Sequence, residues 1–269
     1  SATSAQLLHR LRDLQPPDGL WAWYPGMKGS LYTTEYVLRT LLRLSSYATL
    51  EPALRLRLES LIRQGMKALN RQAVLDYKAL QKAKRSGKTV YVPTDADYLY
   101  LVALAKRQGL YEASEEEGRA VAHFFAQLRK KYTELPLDDK PRAALIFHLA
   151  GEKKLAEALT KELCATLVED ETGLFFARLQ AESYWWMNRA LPATVEMIEL
   201  LSASPPRYNE TIQGLKRWIV SQKRTQAWGA DLLTAEAVYG LTLGESLASE
   251  PLQKRQVQVE RPDLGGAAL

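Results

Sequence analysis

Asp18-Gly19-Leu20-Trp21-Ala22-Trp23-Tyr24-Pro25-Gly26, followed by Ser30-Leu31-Tyr32-Thr33-Thr34-Glu35-Tyr36-Val37-Leu38, decides how this chain is read. The first block is aromatic and rich in turn formers; the second is a helix dense in small and apolar residues. The same grammar returns in Thr172-Gly173-Leu174-Phe175-Phe176 through Trp185-Trp186, leading into Ala193-Thr194-Val195-Glu196-Met197-Ile198. It returns again in Gln226-Ala227-Trp228-Gly229, leading into Leu232-Leu233-Thr234-Ala235-Glu236-Ala237-Val238-Tyr239. A diverged recurrence of this kind points to helical repeats that share one core.

Two classes of helix surround these blocks. Leu54, Leu58, Leu61, Ile62 and Leu69 recur at three- and four-residue steps with charged residues between them, which predicts a half-exposed helix. Val121, Phe124, Phe125 and Leu128 repeat the pattern, as do Leu155, Leu159, Leu163 and Leu167, and Ile212, Leu215 and Ile219. By contrast, residues 30–44, 98–105, 142–149 and 232–243 are apolar or small nearly all round, which predicts helices buried on every side. The two classes alternate. About ten helices are expected, all-α, as an α/α toroid with inner and outer helix shells or as an α-solenoid in which each pair touches only its neighbours. Ser114 with Glu117 predicts a capping box, and Thr94 with Asp97 a variant of it. Residues 88–92 read as a short strand or extended loop, and 169–171 as a solvated turn.

Composition narrows the function classes. The chain has 269 residues, 46% hydrophobic and 25% charged, enough for a sizeable core. Its net charge of +5 is dispersed, and the densest basic run, Lys82-Ala83-Lys84-Arg85, reads as a solvated helix end, so no nucleic-acid partner is expected. The single cysteine, Cys164, has no intrachain disulfide partner and sits in a helical pattern as a small hydrophobe. No apolar run is long enough to span a membrane, and Ser1-Ala2-Thr3-Ser4 does not read as a secretory leader.

No residue pattern announces catalysis. His9, His123 and His148 lack a nucleophile motif, and neither a metal-ligand spacing nor a phosphate loop is present, so no metal and no cofactor are expected. Asp95-Ala96-Asp97 is the nearest approach to a cation or diphosphate site, which would need more carboxylates from neighbouring helices, and it reads first as helix N-terminal acids favoured by the macrodipole. The candidate site is aromatic. Trp21, Trp23, Tyr24, Trp185, Trp186 and Trp228 all fall in connecting segments and would meet on one rim, either as a recognition surface or as core plugging the end of the assembly.

The block of residues 18–38 resembles the thioester domain of the alpha-macroglobulin and complement family, above all its bacterial members. Residues 215–228 and 234–241 resemble the final helical pair of that domain. The resemblance implies a terpenoid-cyclase-like α/α toroid of five to six helical hairpins over residues 1–254. Residues 255–269 would then be an extended segment leading to a following β-domain. It also implies a periplasmic or cell-surface location, a share in protease trapping by a larger protein, neighbouring β-domains as partners, and a protease as target. Family members carry a Cys-x-Glu-Gln thioester motif. This chain has none, since Cys164 is followed by Ala165-Thr166-Leu167. No catalytic residue is carried over, and the domain is expected to perform no turnover. The rivals are a toroid enzyme acting on glycans or prenyl groups and a non-catalytic protein-binding scaffold.

Overall fold

The computed structural model describes residues 3–46, 50–182, 189–203, 206–225 and 231–243. Among them are eleven α-helices and one two-stranded antiparallel hairpin, an all-α architecture. The helices are α1 (Ser4–Asp13), α2 (Leu31–Ser45), α3 (Pro52–Arg85), α4 (Ala96–Arg107), α5 (Glu115–Lys131) and α6 (Lys140–Leu149). After α7 (Lys153–Ala165) come the strands β1 (Val168–Asp170) and β2 (Gly173–Phe175). Then follow α8 (Ala177–Glu182), α9 (Ala190–Ser202), α10 (Asn209–Thr225) and α11 (Asp231–Thr242). No described helix is long and apolar enough to cross a membrane.

Helix boundaries follow local chemistry. Ser114 and Glu117 exchange bonds in the expected capping box, satisfying two amide hydrogens that the first turn of α5 would leave open. Thr3 and Gln6 do the same for α1. The expected Thr94–Asp97 cap is displaced by one residue. Asp95 caps α4 by accepting from the Asp97 amide, because the Thr94 hydroxyl is drawn to the buried Asp76 carboxylate of α3. Pro52 and Pro141 occupy first-turn positions, where a missing amide hydrogen costs nothing. Residues 88–92 form no strand; they are loop. Residues 168–175, read partly as a turn, form the hairpin with Glu169 opposite Leu174.

Packing sorts the helices largely as their patterns predict, but α2 and α11, expected to be buried on every side, each keep an exposed edge: Tyr32 is 64% exposed and Val238 53%. Buried helices α2, α4, α6, α9 and α11 contact one another in that order, and the half-exposed α3, α5, α7 and α10 pack against α2, α4, α6 and α9 respectively. Along α3 the stripe Leu58, Leu61, Ile62, Met66 and Leu69 is buried while Arg57 and Lys67 face water. The expectation that the buried helices lack polar groups is wrong in one respect. Arg43, Glu196, Glu199 and Glu236 are all under 10% exposed, and they are not scattered, because they meet at the centre of the buried series.

The 18–30 block is pinned to this core. Trp21 is fully buried, its indole Nε1 donates to the Leu11 carbonyl at 2.8 Å, and its amide donates to Thr34 Oγ1 at 2.8 Å. The ring lies over Gly65 of α3, where a Cβ would sit 2.6 Å from Trp21 Cζ3 and 3.0 Å from Leu38 Cδ2. Only glycine allows α3, α2 and the indole to approach so closely. Gly65→Ala is therefore expected to lower the unfolding free energy by about 1–3 kcal/mol, the usual cost of overpacking, as measured by urea denaturation.

Candidate functional site

One face of α2 organises the polar centre. Tyr32, Glu35, Tyr36, Arg39 and Arg43 follow one another at helical steps of three, one, three and four, so they share a side of the helix. That side turns toward α4, α6, α9 and α11. Arg39 Nη2 meets Asp97 Oδ1 of α4 at 2.5 Å, and Arg142 of α6 reaches the same oxygen through Nη1 at 2.8 Å. Through Nη2, Arg142 also binds Glu196 Oε1 of α9 at 2.7 Å. Deeper in, Arg43 donates from Nη1 to Glu236 Oε2 of α11 at 2.7 Å and from Nη2 to Glu199 Oε2 of α9 at 3.4 Å. The Tyr100 hydroxyl donates to Glu199 at 2.8 Å, and the Arg43 guanidinium lies 4.3 Å above the Tyr239 ring.

Arginine suits this role better than lysine. Its planar fork can serve several acceptors on different helices and stack on a ring while remaining charged. Burial works against the Arg43 charge, but Tyr100, Glu236 and Glu199 around it outweigh that penalty and push its pKa up. Arg142 behaves in the same way: burial lowers its pKa, and Glu196 and Asp97 more than restore it. Burial raises the Tyr100 and Tyr239 phenols, with Glu199 adding to the effect, so both stay neutral donors. These groups hold one another through charge-assisted hydrogen bonds.

Where α2 and α4 begin, the network opens toward solvent. The carboxylate oxygens of Glu35, Asp95 and Asp97 lie within 4.8 Å of one another, the one acidic grouping among the described residues close enough to share a metal ion. Two guanidiniums already sit on Asp97, so the positive charge such a cluster requires comes from the protein itself. Glu35 pays for the crowding. Burial, then the charges of Asp95 and Asp97, push its pKa from 4.5 up to about 8. Burial raises Asp95 as well, with Asp97 as the second cause.

The aromatic candidates separate. Trp21 belongs to the core and not to a recognition surface, for the packing reasons given above. Trp23 and Tyr24 are 53% and 69% exposed, and the Trp23 ring stacks on Tyr32 of α2 with centroids 6.3 Å apart. Trp185, Trp186 and Trp228 lie outside the described residues, as does the extended segment expected at 255–269. Trp218 is buried against Phe175 of the hairpin. Among the histidines, His9 pairs with Asp13 on the surface, His123 lies between Tyr77 and Phe124, and burial lowers His123 and His148. Burial raises the half-buried Cys164 thiol, which keeps it protonated and unreactive.

Sequence reasoning named Asp95 and Asp97 but missed Arg39, Arg43, Arg142, Glu196, Glu199 and Glu236. A signal was available: solitary charges of both signs on otherwise apolar helices require partners on other helices, because unpaired charges are not buried. No family model matches the chain, and no curated protein matches it.

Two outcomes follow from the network. Glu236→Gln or Arg43→Met strands a buried charge and is expected to cost about 3–5 kcal/mol in chemical denaturation. The double variant is expected to recover part of that loss, because it removes both charges together. For Glu35, the folded state keeps its proton up to about pH 8, while the unfolded chain releases it near 4.5. The folded state therefore binds more protons across that window, and this residue makes stability fall as pH rises through it. Glu35→Gln should flatten that slope, leaving the variant more stable than the parent at pH 9 and little changed at pH 5; thermal melts at the two pH values measure it.

Proposed function

We propose that the chain is an α/α toroid of the thioester-domain type and serves a bacterial alpha-macroglobulin-like protein as a rigid, non-catalytic unit for protease trapping. In this reading α2, α4, α6, α9 and α11 are the inner shell, and α3, α5, α7 and α10 belong to the outer one. The observation that carries it is the Arg43–Glu236 bond, which ties the first of the buried helices to the last across 193 residues of sequence. An open solenoid has no reason to join its first and last units, whereas a ring does. The resemblance of residues 18–38, 215–228 and 234–241 to that family supports the same conclusion. Location outside the cytoplasm, attachment to neighbouring β-domains and contact with a captured protease follow from the proposal.

A toroid enzyme acting on glycans is the second reading, favoured by the approach of Glu35, Asp95 and Asp97 to within 4.8 Å, since paired carboxyl groups are the tools of glycoside hydrolysis. Against it, Asp97 is held by two guanidiniums and is a poor nucleophile or base.

The test is a trap assay on the full-length protein that carries this chain. After incubation with a range of endopeptidases, cleavage of a large protein substrate is expected to fall while cleavage of a small peptide amide persists. Equal activity on both substrates, with and without the protein, overturns the proposal. Release of reducing ends from polysaccharides by the isolated chain would put the enzyme reading first.

A further inference from the structure

Beside the polar centre lies a feature that trapping does not use. Trp23, Tyr24, Met27 and Tyr32 are each more than half exposed and occupy one short stretch at the start of α2. Trp23 and Tyr32 stack at an interplanar angle of 25°, so together they present broad, nearly parallel faces beside solvent. Large aromatics left exposed together on a surface mark an interaction site.

The stretch is built to stay in place. The Ser30 amide donates to the Trp21 carbonyl at 2.8 Å, the Met27 amide to the Tyr24 carbonyl at 3.2 Å, and the Leu20 amide to Asp18 Oδ1 at 3.0 Å. Gln15 Nε2 donates to the Gly19 carbonyl at 2.9 Å, and Gly26 supplies the left-handed turn at φ +82°. Buried Trp21 anchors the whole segment. A platform fixed before binding spends little free energy on ordering when a ligand arrives.

Its flank determines the ligand class. Glu35 is one helical turn beyond Tyr32 on α2, and its carboxyl group adjoins Asp95 and Asp97. Asp97 is already compensated by Arg39 and Arg142, and Glu35 keeps its proton at neutral pH. The flank therefore offers a carboxyl donor and carboxylate acceptors, and acids beside the rings disfavour nucleic acid. Flat aromatic faces beside short hydrogen-bonding groups match a hydroxyl-rich ring, and the exposed Asp95 carboxylate disfavours an anionic one. We propose that the Trp23–Tyr32 platform, with Tyr24 and Glu35 at its edge, is a binding site for a neutral glycan chain. Binding is the claim, not hydrolysis, and it stands independently of the trapping proposal.

Isothermal titration of the chain with cellohexaose, chitohexaose and maltohexaose tests it. At least one of these is expected to bind, with affinity reduced roughly tenfold by Trp23→Ala and by Tyr32→Ala, the loss of one stacked face. Tyr91→Ala removes a tyrosine that is 92% exposed on a different loop and is expected to leave binding unchanged. Thermal melts of each variant separate lost binding from lost folding. No heat with any of the three at millimolar concentration, or wild-type affinity in folded Trp23→Ala, overturns the proposal. So does a photocrosslinker at position 24 that captures one defined protein while no oligosaccharide binds, which assigns the face to a protein partner.

Discussion

The buried guanidinium of Arg43 is the constraint on which the rest of the structure depends. It reaches Glu236 on α11 and Glu199 on α9 and lies over the Tyr239 ring. Such a group does not stabilise a fold simply by being paired, because removing two charges from water offsets most of their attraction. Its effect is on arrangement. A sliding of α11 past α2 by one turn would separate Arg43 from Glu236 and leave two charges in an apolar interior. Apolar packing among Leu38, Leu42, Leu101, Leu145 and Ile198 tolerates more than one registration, but the ionic network tolerates few.

Around that centre the fold divides labour between two kinds of contact. Outer helices are held by apolar stripes, as in the burial of Leu159 and Leu163 of α7 or Ile212, Leu215 and Ile219 of α10. The buried helices are held by such packing and also by guanidinium–carboxylate bonds that run from Asp97 through Arg142 to Glu196. At the solvent end the acids crowd one another, and Glu35 is left carrying a proton that an exposed carboxyl would have lost. Tyr32 of the Trp23–Tyr32 stack lies one helical turn before Glu35, so exposed rings and crowded acids are neighbours on α2. Protease trapping and glycan binding would draw on different parts of this arrangement, the rigid body for one and the rim for the other.

Periodicity separated most buried helices from half-exposed ones, but α11, apolar nearly all round, leaves Val238 53% exposed, because an edge of the helix series has no neighbour on its outer side among the described residues. The start of α5 was equally legible, since the Ser114–Glu117 exchange is local and needs no tertiary partner. The start of α4 was less so. Thr94 looked like a cap, but its hydroxyl is claimed by Asp76, 18 residues earlier, and no local rule contains that competition. Trp21 and Trp23 show the same limit. They are two residues apart in one aromatic block, yet one is fully buried and the other more than half exposed. Trp21 is held inside by the close approach of α3 at Gly65, a contact that no local rule contains.

The amino-acid sequence by itself determined that this is an all-α protein, which faces of most helices are apolar, and where several of them begin. Those properties depend on residues within one or two turns of each other. Tertiary structure alone decided which charges meet, which aromatic rings remain outside, and that Glu35 holds its proton. The physical reason is distance. Desolvation and ion pairing depend on what lies within a few ångströms in space, and for Arg43 that is a residue 193 positions away.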